Sequence, residues 1–526
     1  MARIRWPRQL AGGYLLAEGA TYLHYTHAKR RARRATPPVA EPADPDYSKR
    51  FLSLARCDAR EVGSLGPLPC ARFLRHAFFG VPPEALPREA VAGWLHRHLG
   101  DAACTEESLT ALEAALGPCS FCDGAGSSAT GSSASGATGS GSGAYCNGSG
   151  GVEHISSFAF GEGQLESWYK PLPLRLTIEA RQRLVRWRMK KEGFEQFRDP
   201  QLPKLRFWVR LQSSPDEPSR DPPLVVLHGY GQGLDSQLIK KMVPAIGRQS
   251  LIIVDCSWLV VTRVPMKGDV SSTPTVREIA LSVLDFLNQH SANSEVDILG
   301  HSFGTAVASA LVRELEEGSQ RKSLATSSTS TASAEEKRQA VSVRRVVLLD
   351  PMCFLPGITK QAQLLRRTPK DLAAELIAEA ACGDPVPSVR EVISSVVHRP
   401  KPCLDQPEDS DAAAYERRRW VIFQTYWFFY FIYRDLVYSW INLRSLKGPE
   451  YLDRGHLRAL NKRGQLLTVL AETDSMIPAP LLRDDLATEA PEGTAGGVVW
   501  LPTVGHGACQ HRPDVVERIS AFLLAA

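Results

Sequence analysis

Ser302 is the residue whose surroundings in the sequence most clearly indicate chemistry. It is the central residue of Gly300-His-Ser-Phe-Gly304, a GxSxG pentapeptide. The apolar residues before it, 296–299, are typical of the end of a buried strand, and residues 305–312 are small, apolar and compatible with a helix. A sharp strand-to-helix turn of this kind strains the serine backbone and lifts the hydroxyl above the sheet. The pattern therefore predicts that Ser302 is a nucleophile.

A base and an acid for this serine follow later in the chain. A serine hydroxyl needs a base to accept its proton, and the base needs a third group that holds it in one tautomer. Asp474 directly follows the predicted strand 465–470, and His506 lies in a loop after the predicted strand 498–501. We predict that His506 is the base and that Asp474 is the acid that orients it.

Other residues compete for these two roles. Asp350 also follows a predicted strand and is kept as the alternative acid, while Asp474 is favoured because it follows the penultimate strand. Glu472 is expected to lie still within that strand. His511 competes with His506, but it already enters the predicted C-terminal helix, whereas His506 is flanked by two glycines that suit a mobile loop.

The segment His228-Gly-Tyr-Gly-Gln-Gly233 predicts a site for a developing negative charge. It directly follows the buried strand that ends at Leu227, and its glycines let backbone amides approach a ligand. The amides of Tyr230 and Phe303 are the expected pair of donors, and Gly229 belongs to the same site. The segment therefore predicts an oxyanion hole.

This chemistry needs no cofactor and no metal, and we expect neither. Cys119 and Cys122 have the spacing of metal ligands, but Cys146 and His154, which could complete the set, lie across a Gly/Ser tract at the wrong spacing. The eleven cysteines are odd in number and scattered. This favours a reducing compartment over a disulfide framework and predicts an intracellular protein.

The elements that must hold these residues begin after Pro203, where short apolar runs alternate with helical patterns. Such alternation predicts an α/β fold, in which a mostly parallel sheet is covered by helices on both faces. Besides the strand that ends at Ser302, the predicted strands are 205–211, 223–229, 251–255, 345–350, 465–470 and 498–501.

Shifts in composition divide the chain into six predicted regions. They are a basic membrane-proximal or targeting segment with its linker (1–46), a helical extension (47–123), a disordered Gly/Ser linker (124–151), the first part of the α/β core with a disordered insertion at 319–334 (152–350), a helical cap (351–464) and the second part of the core (465–526).

Charge is concentrated at the N-terminus. Residues 1–34 contain eight Lys or Arg against the single acid Glu18, which is a local charge of +7. The whole chain carries +5, so the remainder carries −2. A body with that balance argues against binding to nucleic acid.

Two apolar runs suggest a membrane or a pocket. Residues 10–25 are largely apolar but fall short of the roughly 20 residues that span a bilayer. They suit an interfacial helix, an organelle-targeting segment or a helix docked on the body. Residues 420–433 hold nine aromatic side chains in 14 positions and suit a core helix, a wall of an acyl-binding pocket or a membrane contact. Peripheral membrane contact through 1–34 and 420–433 is therefore one prediction, with membrane or organelle association as alternatives for localisation.

The serine, aspartate and histidine motifs, in this order and each at a strand end, resemble the α/β-hydrolase superfamily over residues 203–526. More narrowly, Leu348-Leu-Asp-Pro-Met-Cys-Phe354 and the aromatic run resemble a group of fungal-type eukaryotic hydrolases with a membrane-proximal N-terminal extension. The resemblance implies an α/β-hydrolase fold with a cap, and a catalytic triad at the positions of Ser302, Asp474 and His506.

The predicted activity is hydrolysis of a carboxylic ester with an apolar acyl or lipid group, through an acyl-enzyme on Ser302. A serine at this position argues against the haloalkane dehalogenases and epoxide hydrolases, which use a carboxylate nucleophile. Peptidase, thioesterase and acyltransferase activities use the same groups and remain open. So does a membrane-associated scaffold that keeps the fold without catalysis.

Overall fold

The computed structural model of this protein describes a large part of the chain. The described residues are 8–34, 86–92, 109–110, 167–211, 213–214, 217–218, 222–231, 233–247, 250–260, 273–290, 294–326, 341–354, 388, 390–391, 394, 398, 410–427, 432, 435–441, 455–474, 476–477, 479–487 and 496–525.

The chain folds as two compact units. The first comprises residues 1–38, 164–446 and 450–526, and the second comprises 39–163 and 447–449. The second unit is described only at 86–92 and 109–110, and residues 88–92 form a short helix there. The predicted Gly/Ser linker and the four residues weighed as metal ligands lie outside the described residues. All the predicted site residues belong to the first unit.

An eight-stranded sheet forms the centre of the first unit. Its strands are β1 Glu195–Arg198, β2 Leu205–Arg210, β3 Leu224–Leu227, β4 Leu251–Cys256, β5 Glu295–His301, β6 Ser342–Leu349, β7 Leu466–Ala471 and β8 Gly497–Leu501. The spatial order is β1-β2-β4-β3-β5-β6-β7-β8. The first two strands pair antiparallel, as does β2 with β4, and all other pairs are parallel. A separate ribbon pairs Ser213–Ser214 with Glu217–Pro218.

Continuous apolar runs explain why the central strands are buried on both faces of the sheet. Every residue of β3, β4 and β7 is buried, as expected of parallel strands covered on both faces. These strands were predicted from their runs, and the prediction is confirmed. The edge strand β1 was missed because its sequence, Glu-Gln-Phe-Arg, has no apolar run and its residues remain partly or fully exposed.

Helices cover both faces of the sheet. They are α1 Arg8–Arg34, α2 Leu172–Lys191, α3 Val243–Ile246, α4 Val276–His290, α5 Phe303–Thr326, α6 Asp411–Trp427, α7 Leu436–Trp440, α8 His456–Lys462, α9 Ala479–Ala487 and α10 Pro513–Leu524. Trp208 of β2 packs into the same core cluster as the apolar face of α10, whereas its neighbour Phe207 stacks on Phe286 of α4. Adjacent residues of one strand thus serve opposite layers.

The segment 319–334, which was predicted to be a disordered loop, begins as helix. Helix α5 continues to Thr326, so the first eight residues of that segment are helical. The physical reason is composition, because 319–326 includes Gln, Arg, Lys, Leu and Ala, all of which favour helices. Residues 327–334 lie outside the described part of the chain.

Helix α1 docks on the residues that lead into α2. The carboxylate of Glu18 accepts hydrogen bonds from the Tyr169 hydroxyl at 2.7 Å and from the Leu172 amide at 3.0 Å. About two turns further along α1, Tyr25 is buried and shares a 2.8 Å hydrogen bond with Ser167. The structure therefore has the docked helix, one of the three interpretations of this run. Among the described helices, none combines the length and the apolar character needed to cross a membrane.

The insertion between β6 and β7, residues 351–464, contains helices α6, α7 and α8 where it is described. Three side chains of the aromatic run at 420–433 belong to the described residues, Ile422, Phe423 and Ile432, and all three are buried. Their burial favours packing in the protein interior over contact with a membrane.

Candidate active site

Ser302 occupies the turn between β5 and α5 in a strained backbone conformation. Its φ of 52° lies in the left-handed region, which non-glycine residues rarely adopt. The strain is held in place because the Ser302 amide donates to the Leu349 carbonyl at 3.0 Å, and the Ser302 carbonyl accepts from the Thr305 hydroxyl at 2.6 Å. The Met352 amide donates in turn to the Thr305 hydroxyl at 2.9 Å. These bonds tie the turn to the end of β6.

Gly304 lets this turn form. A Cβ atom at this position would lie 2.0 Å from the Leu227 carbonyl oxygen, which is far inside contact distance. Helix α5 can therefore start directly against the end of β3 only if residue 304 has no side chain.

His506 joins Ser302 and Asp474 in one hydrogen-bonded series. The imidazole Nε2 is 3.0 Å from the Ser302 Oγ, and Nδ1 is 2.7 Å from the Asp474 Oδ2. Since a carboxylate only accepts, Nδ1 carries the proton and Nε2 is free to accept from the serine hydroxyl. All three residues are at least nine-tenths buried. The structure thus brings together the three residues that the sequence predicted as nucleophile, base and acid.

Asp474 is fixed by the turn that follows β7. Its second oxygen, Oδ1, accepts from the Met476 amide at 2.6 Å and from the Ile477 amide at 3.0 Å. An aspartate that bonds the amides two and three positions later forms a local turn. The carboxylate is therefore held in place before His506 binds it.

Asp350, the alternative acid, lies beside this series and does not bind the imidazole. Its Oδ2 accepts from the Gly507 amide at 2.7 Å, and its Oδ1 accepts from the Ala471 amide at 3.2 Å. Burial, with the nearby charge of Asp474, raises the Asp350 pKa to about 6. In the structure, the His506 ring therefore bonds Asp474, whereas Asp350 bonds the backbone of the loop that carries His506.

The remaining rivals lie away from the serine. His511 ends a 3-10 turn, Ala508–His511, after the histidine loop, and no bond to Ser302 involves it. Glu472 was expected within the strand, but β7 ends at Ala471, one residue earlier. The Glu472 carboxylate accepts from the Thr503 amide at 2.8 Å and so braces the loop that carries His506.

The predicted oxyanion donors lie next to the serine. A Cβ atom on Gly229 would come within 2.9 Å of the Ser302 Cβ, so the segment after β3 packs directly against the nucleophile. Within the described part of the chain, no carbonyl accepts from the amide of Tyr230 or from that of Phe303. Phe303 is the first residue of α5, where backbone amides have no partner inside the helix. Both amides are available to a ligand.

His228 has a role that the sequence analysis missed. Its Nδ1 is 2.8 Å from the Gly229 carbonyl, and its Nε2 accepts from the Cys256 amide at 3.3 Å. Burial lowers the pKa of His228, which keeps the ring neutral with one donor and one acceptor. The Gly229 carbonyl and the Tyr230 amide belong to one planar peptide, so fixing the carbonyl also aims the amide. The only hint in the sequence was the position of His228 directly before the glycine.

His301 lies beside both His506 and Asp350. Its ring is 5.4 Å from that of His506, and its Nε2 is 4.0 Å from the Asp350 Oδ2. Burial and the neighbouring histidines lower its pKa well below the usual value, so the ring is neutral. Only one positive charge, on His506, can then develop beside the serine.

Asp350, Asp474 and His506 also form a group that is close enough to be considered as metal ligands, with ligand atoms within 4.8 Å of one another. Each of these atoms already has a protein partner. The imidazole bonds Ser302 and Asp474, and each carboxylate accepts from backbone amides. The arrangement therefore suits proton transfer better than metal binding.

A mostly parallel sheet with this serine turn, and with the aspartate and histidine after its last two strands, defines a hydrolase of the α/β class. The sequence profile described as the alpha/beta hydrolase family matches residues 224–519, which is more than half of the chain. The chain belongs to this family. No curated protein matches its sequence.

Several solved structures are similar to this chain at low sequence identity. A carboxylesterase from Bacillus subtilis is 14% identical, with a TM-score of 0.33, and the match covers 67% of this chain and 98% of that one. An esterase from Pyrobaculum calidifontis is 13% identical, with a TM-score of 0.35 and coverage of 68% and 95%. A haloalkane dehalogenase variant from Bradyrhizobium elkanii is 14% identical, with a TM-score of 0.32 and coverage of 61% and 92%.

Proposed function

We propose that this protein is a serine hydrolase that cleaves a carboxylic ester. The observation that carries the proposal is the continuous series from the Ser302 Oγ through the His506 ring to the Asp474 carboxylate, with both hydrogen bonds at 3.0 Å or less. A buried serine beside a neutral imidazole nitrogen is the arrangement that activates a hydroxyl for attack on a carbonyl.

The reaction has two halves in this proposal. The Ser302 Oγ attacks the ester carbonyl while His506 Nε2 takes its proton, and the amides of Tyr230 and Phe303 stabilise the oxyanion. His506 then protonates the leaving alkoxide, and the acyl group remains on Ser302. In the second half, His506 takes a proton from water, the resulting nucleophile attacks the acyl carbonyl, and the proton returns to Ser302 as the acid leaves.

The substrate in this proposal has an apolar acyl or lipid group. The insertion at 351–464 supports it, because α7 reaches the oxyanion segment, where the Tyr438 ring packs edge-on against Tyr230 at 4.7 Å. The aromatic run of the same insertion would supply the wall of an acyl pocket.

Helix α1 adds a peripheral membrane contact to the proposal. Its outward face exposes Leu15, Leu16 and Leu23, with 67%, 78% and 68% of their surfaces accessible, and it ends in four arginines. Exposed leucines followed by cationic side chains suit the surface of an anionic bilayer.

Reaction with a fluorophosphonate probe tests the nucleophile. We expect wild-type protein to be labelled and Ser302→Ala to lose labelling. Ser309→Ala is a matched control, because Ser309 is a similarly buried serine on α5, the helix that directly follows Ser302, and this variant should label normally. No labelling of folded wild-type protein would contradict the proposal and support the non-catalytic scaffold. A p-nitrophenyl ester series of increasing chain length would then test the preference for apolar acyl groups, which requires kcat/KM to rise beyond acetate.

Flotation with anionic and zwitterionic vesicles tests the membrane contact. Replacing Leu15, Leu16 and Leu23 together with Ser should abolish binding to the anionic vesicles, whereas Leu281→Ser, at an exposed leucine of α4, should not. Equal binding by both variants would contradict a contact through α1.

A further inference from the structure

Tyr230 is held by its side chain as well as by its backbone. Its hydroxyl donates a hydrogen bond to the Asp435 carboxylate, across 205 residues of sequence. Burial and the charge of Asp435 raise the pKa of Tyr230 well above its ordinary value, so the phenol keeps its proton and remains a donor. The residue that carries a proposed oxyanion amide is thus anchored to the insertion.

Asp435 is a rigid acceptor. It is 5% exposed and is the N-cap of α7, where the Oδ1 that binds Tyr230 also accepts from the Val437 amide at 3.0 Å and the Tyr438 amide at 3.3 Å. All five residues of α7 are buried. The carboxylate therefore has no room to follow a moving phenol, and it defines where the Tyr230 side chain lies.

The surroundings of Asp435 supply a positive charge. Burial lowers the pKa of Arg175, and the negative charges of Asp435 and Glu18 oppose that shift. The Arg175 guanidinium therefore interacts favourably with a charged Asp435 carboxylate. A capping role alone would not need the charge, since asparagine caps helices as well as aspartate does. A charged acceptor gives a stronger bond to the phenol.

The segment after Tyr230 is held too. The Gly231 amide donates to the Leu259 carbonyl at 2.8 Å, and Gly231 forms an isolated parallel bridge with Val260. His228 fixes the peptide before Tyr230, as described above. The backbone is thus held on both sides of the Tyr230 amide. The bond from the Tyr230 hydroxyl to Asp435 is a third restraint, and it comes from the insertion between β6 and β7.

We propose that Asp435 is a positioning residue for the oxyanion hole, and that it acts through the Tyr230 hydroxyl to hold the Tyr230 amide toward the reacting carbonyl. The inference rests on the proposed hydrolase function. Asp435 touches no reacting atom in this scheme. Its effect on the reaction is geometric and falls on the step that forms the oxyanion.

The first test is Tyr230→Phe, which removes the hydroxyl and keeps the ring that packs on Tyr438. Removing an oxyanion donor outright costs about 100- to 1,000-fold in kcat, and loosening one should cost about tenfold. We expect kcat for p-nitrophenyl butyrate and the rate of fluorophosphonate labelling to fall together by about tenfold. KM should change less than twofold, and the pH at which activity is half-maximal should not move, because His506 and Asp474 are untouched.

Tyr169→Phe is the matched control. It removes an equivalent phenol–carboxylate bond, to Glu18, outside the site and should leave kcat and labelling unchanged. If wild-type protein neither labels nor hydrolyses the ester, the proposed function fails. If wild-type protein is active and Tyr230→Phe matches Tyr169→Phe in kcat, the positioning role of Asp435 is wrong while the hydrolase proposal stands.

Asp435→Asn separates positioning from folding. Asparagine keeps the cap of α7, so the melting temperature should stay close to that of wild-type protein. It offers the phenol a neutral and weaker acceptor, and kcat should fall by less than in Tyr230→Phe. The double variant should lose no more than Tyr230→Phe alone, because both changes act on one bond. Losses that multiply in the double variant would overturn the proposal.

Discussion

Two buried aspartates follow adjacent strands of the sheet, and they do different things. Asp350 comes directly after β6 and Asp474 comes three residues after β7, and each is no more than 1% exposed. The Asp474 carboxylate meets the His506 ring, whereas Asp350 meets the backbone amide of the next residue, Gly507. Burial does not separate the two roles, whereas the position of Asp474 after the penultimate strand already favoured it as the acid. The difference lies in whether the carboxylate binds a side chain that changes charge or a backbone that does not.

The difference has an electrostatic side. In the proposed reaction His506 becomes positively charged, so a carboxylate on its ring stabilises the state that forms during attack. A carboxylate on the Gly507 amide fixes the loop in all states alike. Asp350 should thus affect the position of His506 more than its charge.

Asp474→Asn should have the largest effect. The amide can donate to Nδ1, which stabilises the wrong tautomer and leaves the proton on Nε2, and the equivalent change in a trypsin-type protease lowers kcat by about 10⁴-fold. We expect a loss of that order with p-nitrophenyl butyrate, with the fold retained by circular dichroism. A loss of less than tenfold would contradict the assignment of Asp474 as the acid that orients His506, and with it the difference in role between the two aspartates.

Asp350→Asn should cost less. Asparagine can accept from Gly507 with one oxygen, but its amide group would then face the Ala471 amide, donor against donor. The histidine loop should shift, and misplacement of a catalytic group by about 1 Å costs about 100-fold in kcat. We expect a loss of about 10- to 100-fold by this reasoning. A loss equal to that of Asp474→Asn would mean that the two aspartates share the acid role.

Unfolding at different pH values should show the charge state of Asp350. Its pKa is raised in the folded protein from the ordinary 3.8 to about 6, so the folded state holds the proton more tightly than the unfolded state. The stability that this proton provides is present below about pH 4 and is lost as pH rises through 6. The unfolding free energy of wild type minus that of Asp350→Asn should therefore fall from pH 4 to about pH 7 and then stay level. Urea unfolding at pH 4, 5, 6 and 7.5 measures it, and a difference that grows with pH would contradict the raised pKa.

A carboxylate outside the site should have the smallest effect. Glu18→Gln keeps an acceptor for Tyr169 and Leu172 but removes the charge, which should cost about 1 kcal/mol of unfolding free energy. The kcat should stay within twofold of wild type. A larger fall in kcat would show that the docking of α1 affects the reaction. Glu18 would then have to be counted, with Asp350 and Asp474, among the carboxylates that influence catalysis.

Much of the core was predictable from the sequence because its signals are local. Apolar runs identified the central strands, and strand-end positions identified Ser302, Asp474 and His506, which the structure brings together. The roles of Asp350 and Asp435 were not predictable, because each bonds a partner more than 100 residues away and no local pattern encodes such contacts. The continuation of α5 to Thr326 was missed because a Ser/Thr-rich stretch outweighed its helix-forming residues.

The bonds of Asp350 also affect local opening of the folded protein. One carboxylate accepts from Ala471 at the end of a central strand and from Gly507 beside the histidine, so neither amide can be released without loosening the other's anchor. In hydrogen exchange, these two amide protons should behave as one cooperative unit, although 36 residues separate them in sequence. The loop that carries His506 would then open only as often as the end of the strand itself frays. The loop that carries His506 would then exchange its Gly507 amide proton as slowly as a residue at the end of a core strand.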